Sequence, residues 1–130
     1  MKITLGLIAA VGVMLAGPAY ASTNLISNGS FELGTDPGGS FITEHVGGTD
    51  ITDWSVLAEN VDYIGGYWQA ADGSRSIDLS GYFANGVISQ TINTVAGQTY
   101  SLTFDVSANP DLGNPKLRPS PQRYCRSVTY

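Results

Sequence analysis

Cysteine is all but missing from this chain: Cys125 stands alone, so no disulfide can form within it. Histidine is as scarce. His45 is the single one, and one histidine with one cysteine falls short of a zinc ligand set. The same scarcity leaves a serine nucleophile without its usual base, and no Gly-x-Ser-x-Gly elbow or Walker loop is present. His45 reads as a surface strand residue. Basic residues are equally rare in the body of the chain. Between residues 22 and 115 only Arg75 faces eleven Asp and Glu, a formal charge of −10 that repels phosphates and disfavours nucleic acid as a partner. Paired carboxylates could in principle serve glycoside hydrolysis, but eleven acids allow any pairing and single out none. The reading is therefore of a protein that is not an enzyme and whose work is binding or structure.

Long apolar runs are also absent after the first residues. Lys2, the apolar run from Ile3 to Gly17, and Ala19-Tyr20-Ala21 have the layout of a secretory signal peptide over residues 1–21. That run is too short to be read first as a membrane span, and no second one follows, so the mature chain is expected to carry no span of its own. The expectation is a protein from a bacterial source that is secreted, extracytoplasmic or held at a cell surface.

What is present is a β pattern. Tyr100 to Val106 alternates apolar and polar residues without a slip, and Ser76 to Ser80 does the same. Gly86–Ile92, Asn24–Ser27, Phe41–Val46, Trp54–Ala58 and Val61–Ile64 are further short runs. Turn residues separate them: Asn28-Gly29, Asp36-Pro37-Gly38-Gly39, Asp72-Gly73, Asn85-Gly86 and Ala96-Gly97. Many short strands with regular turns predict an all-β sandwich or jelly roll over residues 22–115.

Composition switches near residue 115. From Lys116 on come Lys116, Arg118, Arg123 and Arg126 with no acid, and with Pro119 and Pro121. Residues 116–130 read either as a disordered basic tail or as the product of a reading frame lost near Pro115. The missing strand pattern favours the second. On either reading the sandwich is incomplete at the C-terminus, without closing strands.

Four blocks carry a family resemblance: Asn28-Gly-Ser-Phe-Glu32, Ile51-Thr-Asp-Trp54-Ser-Val56, Val61 to Gln69, and Asp72 to Gly81. They are followed by Ile88-Ser-Gln90, Gly97-Gln-Thr-Tyr100 and Asn109-Pro110. Their order and spacing over residues 24–115 resemble the choice-of-anchor C domain of bacterial surface proteins, which is similar to the plant cell-wall domain of unknown function 642 (DUF642). The resemblance implies a galactose-binding-like jelly-roll β-sandwich outside the cytoplasm, associated with polysaccharide or cell-wall material. Many such proteins carry a C-terminal anchor, and none is visible here. The resemblance also implies a structural calcium ion held in part by Glu32, whose usual partner belongs to a C-terminal strand missing from this sequence.

Sugar faces stack on aromatic rings while carboxylates and amides bond the hydroxyls. Tyr63, Tyr67, Trp68, Tyr82 and Phe83 are dense and interleaved with polar residues, so the candidate carbohydrate site is Tyr67, Trp68, Gln69, Asp72 and Tyr82. Trp54 reads as core, and Asn28-Gly-Ser30 reads as a turn rather than a glycosylation acceptor. The alternative is a structural or protein-binding surface domain without a sugar site. If the frame was lost, translating the coding DNA past codon 100 in all three frames should restore an acidic, alternating β pattern in one of them. Finding none would make the basic tail the protein's own.

Overall fold

The structure is a computed structural model that describes residues 23–81, 85–112 and 122–129. The signal-peptide segment and Tyr82 lie outside the described residues. The strands are β1 (Phe41–His45), β2 (Ser55–Ala58), β3 (Asn60–Ile64), β4 (Ser76–Asp78), β5 (Val87–Ser89), β6 (Thr99–Val106) and β7 (Gln122–Thr129), with one 3-10 turn at Pro110–Leu112. Six of the seven runs marked out by alternation became strands. The Asn24–Ser27 run did not, because it leads into a turn over residues 27–30 that the Asn28 backbone enters at φ +48°.

All strand pairings are antiparallel. β3 is the middle of a three-stranded sheet ordered β1-β3-β4, with Tyr63 opposite Ile42 on one side and Ile77 on the other. β2 pairs with β5 through Val56 and Ile88, with a bulge at Leu57. The core lies between these two sheets. Ile51, Val56, Val61 and Tyr63 form its buried centre, and Phe31, Ile42, Trp54, Ile77 and Ile88 pack around them. Trp54 thus lies where the sequence placed it. The central position of β3 explains why its five residues do not simply alternate: Asn60, Val61, Tyr63 and Ile64 are all buried, since both neighbours and both faces are occupied. The fold class is all-β, as expected.

The third sheet corrects two expectations. The alternation of residues 100–106 predicts a buried face, yet Leu102, Phe104 and Val106 are 48%, 46% and 39% exposed. Among the described strands this one pairs only with β7. In addition, a strand occupies Gln122–Thr129, where the sequence reading had none. β7 runs antiparallel to β6 over eight residue pairs, from Thr99 opposite Thr129 to Val106 opposite Gln122. Its Tyr, Val and Thr residues suit a strand, and a partner strand across the ladder supplies what local composition did not show.

Three residues that are not glycine take positive φ without any signal in the sequence: Phe31 (+63°), Asp53 (+66°) and Glu59 (+54°). This region disfavours residues with a Cβ, so each must be held by its surroundings. Asp53 closes the turn in which the Trp54 N–H donates to the Ile51 carbonyl, at 3.1 Å. Glu59 is the single residue between β2 and β3.

Glu44 on β1 is 4% exposed, and its Oε1 accepts the Asp50 N–H at 2.9 Å. Burial pushes its pKa up, and the neighbouring Asp50 carboxyl pushes the same way against that N–H bond. A raised carboxyl pKa stabilises the fold fully below the unfolded value of 4.5 and loses that contribution as pH rises through the folded value. Glu44→Gln keeps the acceptor and removes the titration. Its denaturant midpoint should therefore exceed that of the parent at neutral pH and converge with it at acid pH, as read from urea unfolding curves across the range.

Candidate functional site

Two polar assemblies stand out on the fold, and the first holds the opening motif in place. The Asn28 side-chain amide donates to the carbonyls of Leu33 and Thr52, both at 2.8 Å, while its oxygen accepts the Leu33 N–H at 2.9 Å. The Asn28 carbonyl accepts the Trp54 indole N–H at 3.0 Å. The amide of the Asn28-Gly-Ser30 triplet is therefore engaged within the turn. Gln90 works alike on the other side, donating to Ser27 and Asp53 carbonyls, both at 2.9 Å, and accepting the Ser27 N–H at 2.8 Å.

Glu32 closes the same assembly against residues more than forty positions later. Its Oε1 accepts the N–H groups of Ser74 (2.8 Å) and Arg75 (2.9 Å), and its Oε2 accepts the Ser74 hydroxyl at 2.7 Å. The Ser74 hydroxyl and N–H hold the carboxyl below its ordinary value against the opposing effect of desolvation, and the Arg75 N–H and charge add to them. Gly73 makes the approach possible. It has φ +65°, and a Cβ there would lie 2.4 Å from Glu32 Oε1. This donor set does not fit a calcium site: calcium asks for six to eight oxygen ligands, whereas three hydrogen bonds already meet this carboxylate. No three His, Cys, Asp or Glu side chains gather into a metal-holding set among the described residues.

The second assembly lies on the face of the three-stranded sheet away from the core. The ladder between β1 and β3 continues past its ends, with Gly65 N–H donating to Ser40 and Gly66 N–H to Gly38, both at 2.8 Å. Gly65 is required there, since a Cβ would come within 2.2 Å of the Gly38 carbonyl oxygen. This extension delivers Tyr67 beside Phe41, with ring centroids 5.6 Å apart, and Trp68 beside Tyr67 at 5.4 Å. Tyr67 is 47% and Phe41 42% exposed, and Trp68 is half-buried.

Polar groups fix the rings. The Tyr67 hydroxyl donates to Asp111 Oδ2 at 2.8 Å, which raises the phenol pKa. The Trp68 indole donates to the Ser76 hydroxyl at 3.2 Å. Further along the same side of β4, Asp78 accepts the Asn109 amide at 2.7 Å and the Ser80 N–H at 2.8 Å. Asp78 stands opposite Asp62 in register, and Asp62 takes the Thr43 hydroxyl at 2.7 Å. Like charges directly opposed weaken a sheet, and these donors temper that repulsion.

Of the residues proposed from sequence, Tyr67 and Trp68 come together. Gln69 is exposed beside them in the chain, and Asp72 is exposed at the head of the turn that Glu32 holds. His45 is exposed at the end of β1. The sequence reading missed Phe41, Asp111 and Asn109 as neighbours of the rings. The Asn109-Pro110 block was the one signal, and it carried no indication of where it would land.

Comparison with known proteins places this arrangement. The family described as "Protein of unknown function (DUF642)" matches residues 24–123. The match runs past residue 115, where the sequence reading ended the domain. The chain is 38% identical over 112 residues to Halomucin of Haloquadratum walsbyi (strain DSM 16790 / HBSQ001), an alignment covering 78% of this chain. It spans about 1% of that relative's length. No solved structure matches the chain. The chain belongs to the DUF642 family.

Removing the Glu32 latch should cost stability. Glu32→Ala should lower unfolding free energy by about 2 kcal/mol, as expected when several hydrogen bonds to a partly exposed charge are lost. Gly73→Ala should cost about 1–3 kcal/mol by combining a left-handed backbone with a clash against the carboxylate. Because the Glu32 pKa is lowered, its contribution is present above 4.5 and fades as pH falls through the folded value. The gap between parent and Glu32→Ala in urea unfolding should therefore narrow in acid.

Proposed function

We propose that this DUF642 domain is a non-catalytic surface module, of the choice-of-anchor C type, that associates with polysaccharide or cell-wall material. The observation that carries the reading is the solvent-facing pair Tyr67 and Trp68, held at 5.4 Å on the side of the sheet away from the core. Rings that faced inward would be explained by packing. These are fixed by hydrogen bonds at their polar tips while much of their surface stays open, which suits stacking on pyranose faces. Asp62, Asp78, Asp111 and Asn109 lie along the same side as acceptors and donors for hydroxyls. The acidity of the body favours neutral glycans over anionic ones. The relative's name, Halomucin, supports a surface setting, and the N-terminal signal pattern is that of a secreted product of a bacterial source.

A second reading has its own support. The exposed Leu102, Phe104 and Val106 on β6 form an apolar face of the kind that protein partners cover. On that reading the domain is structural or protein-binding and has no sugar site.

Pull-down on insoluble polysaccharides separates the two. The intact chain should be retained, and Trp68→Ala should weaken retention about ten-fold, the loss of roughly 1.4 kcal/mol from one stacked ring, with its circular dichroism unchanged. A folded Trp68→Ala that binds as tightly as the parent removes Trp68 from the site. An intact chain retained by no polysaccharide favours the protein-binding reading.

A further inference from the structure

The relative tilt of the three rings carries information about the shape of the glycan. This inference rests on the carbohydrate reading above and concerns which chains the site selects. A flat ribbon of sugars presents successive pyranose faces in nearly one plane, and the aromatic rings that bind it best lie coplanar in a row. The rings here do not. Phe41 is turned 69° from Tyr67, and Tyr67 is turned 53° from Trp68.

Two of the rings are anchored at their polar tips. The Tyr67 hydroxyl is tied to Asp111, whose own N–H donates to Asn109 Oδ1 at 2.8 Å, while the Asn109 amide is tied to Asp78 on β4. The Pro110–Leu112 turn thus acts as a bracket joining the tip of the Tyr67 ring to the sheet. Trp68 is tied to Ser76 on the same strand. Phe41 sits on β1 opposite Ile64, so its backbone is fixed by the ladder. These bonds hold the polar tips of Tyr67 and Trp68 where the tilted arrangement places them.

We propose that this surface selects neutral glycan chains whose consecutive sugar rings turn relative to one another, in preference to flat ribbons, and that Phe41 is its third binding residue. Asp111 and Asn109 are positioning residues that hold the tip of the Tyr67 ring. Coplanar stacking would reach one ring of this set at a time, whereas a turning chain can meet successive rings as its own faces rotate.

The test uses the full chain and four neutral hexasaccharides in titration calorimetry: laminarihexaose and xylohexaose as turning chains, cellohexaose and mannohexaose as flat ones. At least one turning chain should bind about ten-fold or more tightly than both flat ones. Phe41→Ala should weaken that binding about ten-fold with the near-UV circular dichroism of the tryptophans retained. Tyr67→Phe keeps the ring and removes its tie to Asp111, so it should narrow the preference between turning and flat chains. Equal affinity for the two kinds, or tighter binding of a flat chain, overturns the inference and leaves the polysaccharide reading standing. Binding of none of the four by a chain that insoluble polysaccharide still retains does the same. Retention by no polysaccharide at all overturns both.

Discussion

A buried phenol joins the parts of this domain. Tyr63 sits on the central strand with its side chain wholly shielded from water. A buried hydroxyl left unbonded would cost more than its ring gains in packing detail, so both of its roles must be filled. They are: it donates to the Phe31 carbonyl at 2.6 Å and accepts from the Arg75 guanidinium at 2.6 Å. The same guanidinium lies 5.5 Å from the Tyr63 ring centre and reaches exposed Asp36 at 3.4 Å. The Asp36 pair is worth little on the surface. The bond to Tyr63 matters more, because it answers a group that has no water. Arg75 is the lone basic residue of the acidic body, and the fold uses it as a structural donor.

From that point the constraints spread in two directions. Tyr63 holds Phe31 in its positive-φ conformation, which turns the neighbouring Glu32 toward the Ser74 and Arg75 N–H groups. The strain at Phe31 is therefore matched by two captures on consecutive residues, one of a carbonyl and one of a carboxylate. Upstream, Asn28 ties the same turn to Thr52 and Trp54, and Gln90 ties Ser27 and Asp53 to the strand pair β2-β5. An opening segment without strand structure of its own thus connects the two faces of the core. Polar bonds between loops do here what a disulfide does in many small extracellular domains.

Much of this was legible as pieces and little as pairs. Alternation located six strands, because period-two patterning is a local property. The blocks at 28–32 and 72–81 stood out as related to a family, yet nothing local says that Glu32 meets Ser74, since the partners are 42 residues apart. The family resemblance therefore suggested a metal at Glu32, while in the fold its oxygens receive N–H and O–H donors. Tyr67 and Trp68 were found because they are adjacent in sequence. Phe41 was missed because at the start of a strand it resembles any core residue, and only the register that sets it opposite Ile64 brings it to Tyr67. β7 was missed because its basic composition outweighed its strand-forming residues.

The two tryptophans show that position in the sheet, and not residue type, decides which ring is core and which lies on the outer face. Trp54 and Phe31 pack at 5.3 Å between the sheets, and the indole N–H ends on the Asn28 carbonyl. Trp68 and Tyr67 pack at almost the same distance on the opposite side, and their polar tips end on Ser76 and Asp111. Each pair is satisfied as a set of hydrogen bonds. They differ in what covers the rings. The inner pair packs against the buried cluster of Ile51, Val56, Val61 and Tyr63, whereas the outer pair is flanked by Phe41 and by the carboxylates of one sheet face. A protein gains no hydrophobic stabilisation from leaving apolar ring surface wet. On the polysaccharide reading, rings left partly open and tied at their tips are the arrangement expected where a bound chain supplies the cover and binding need not first order the site.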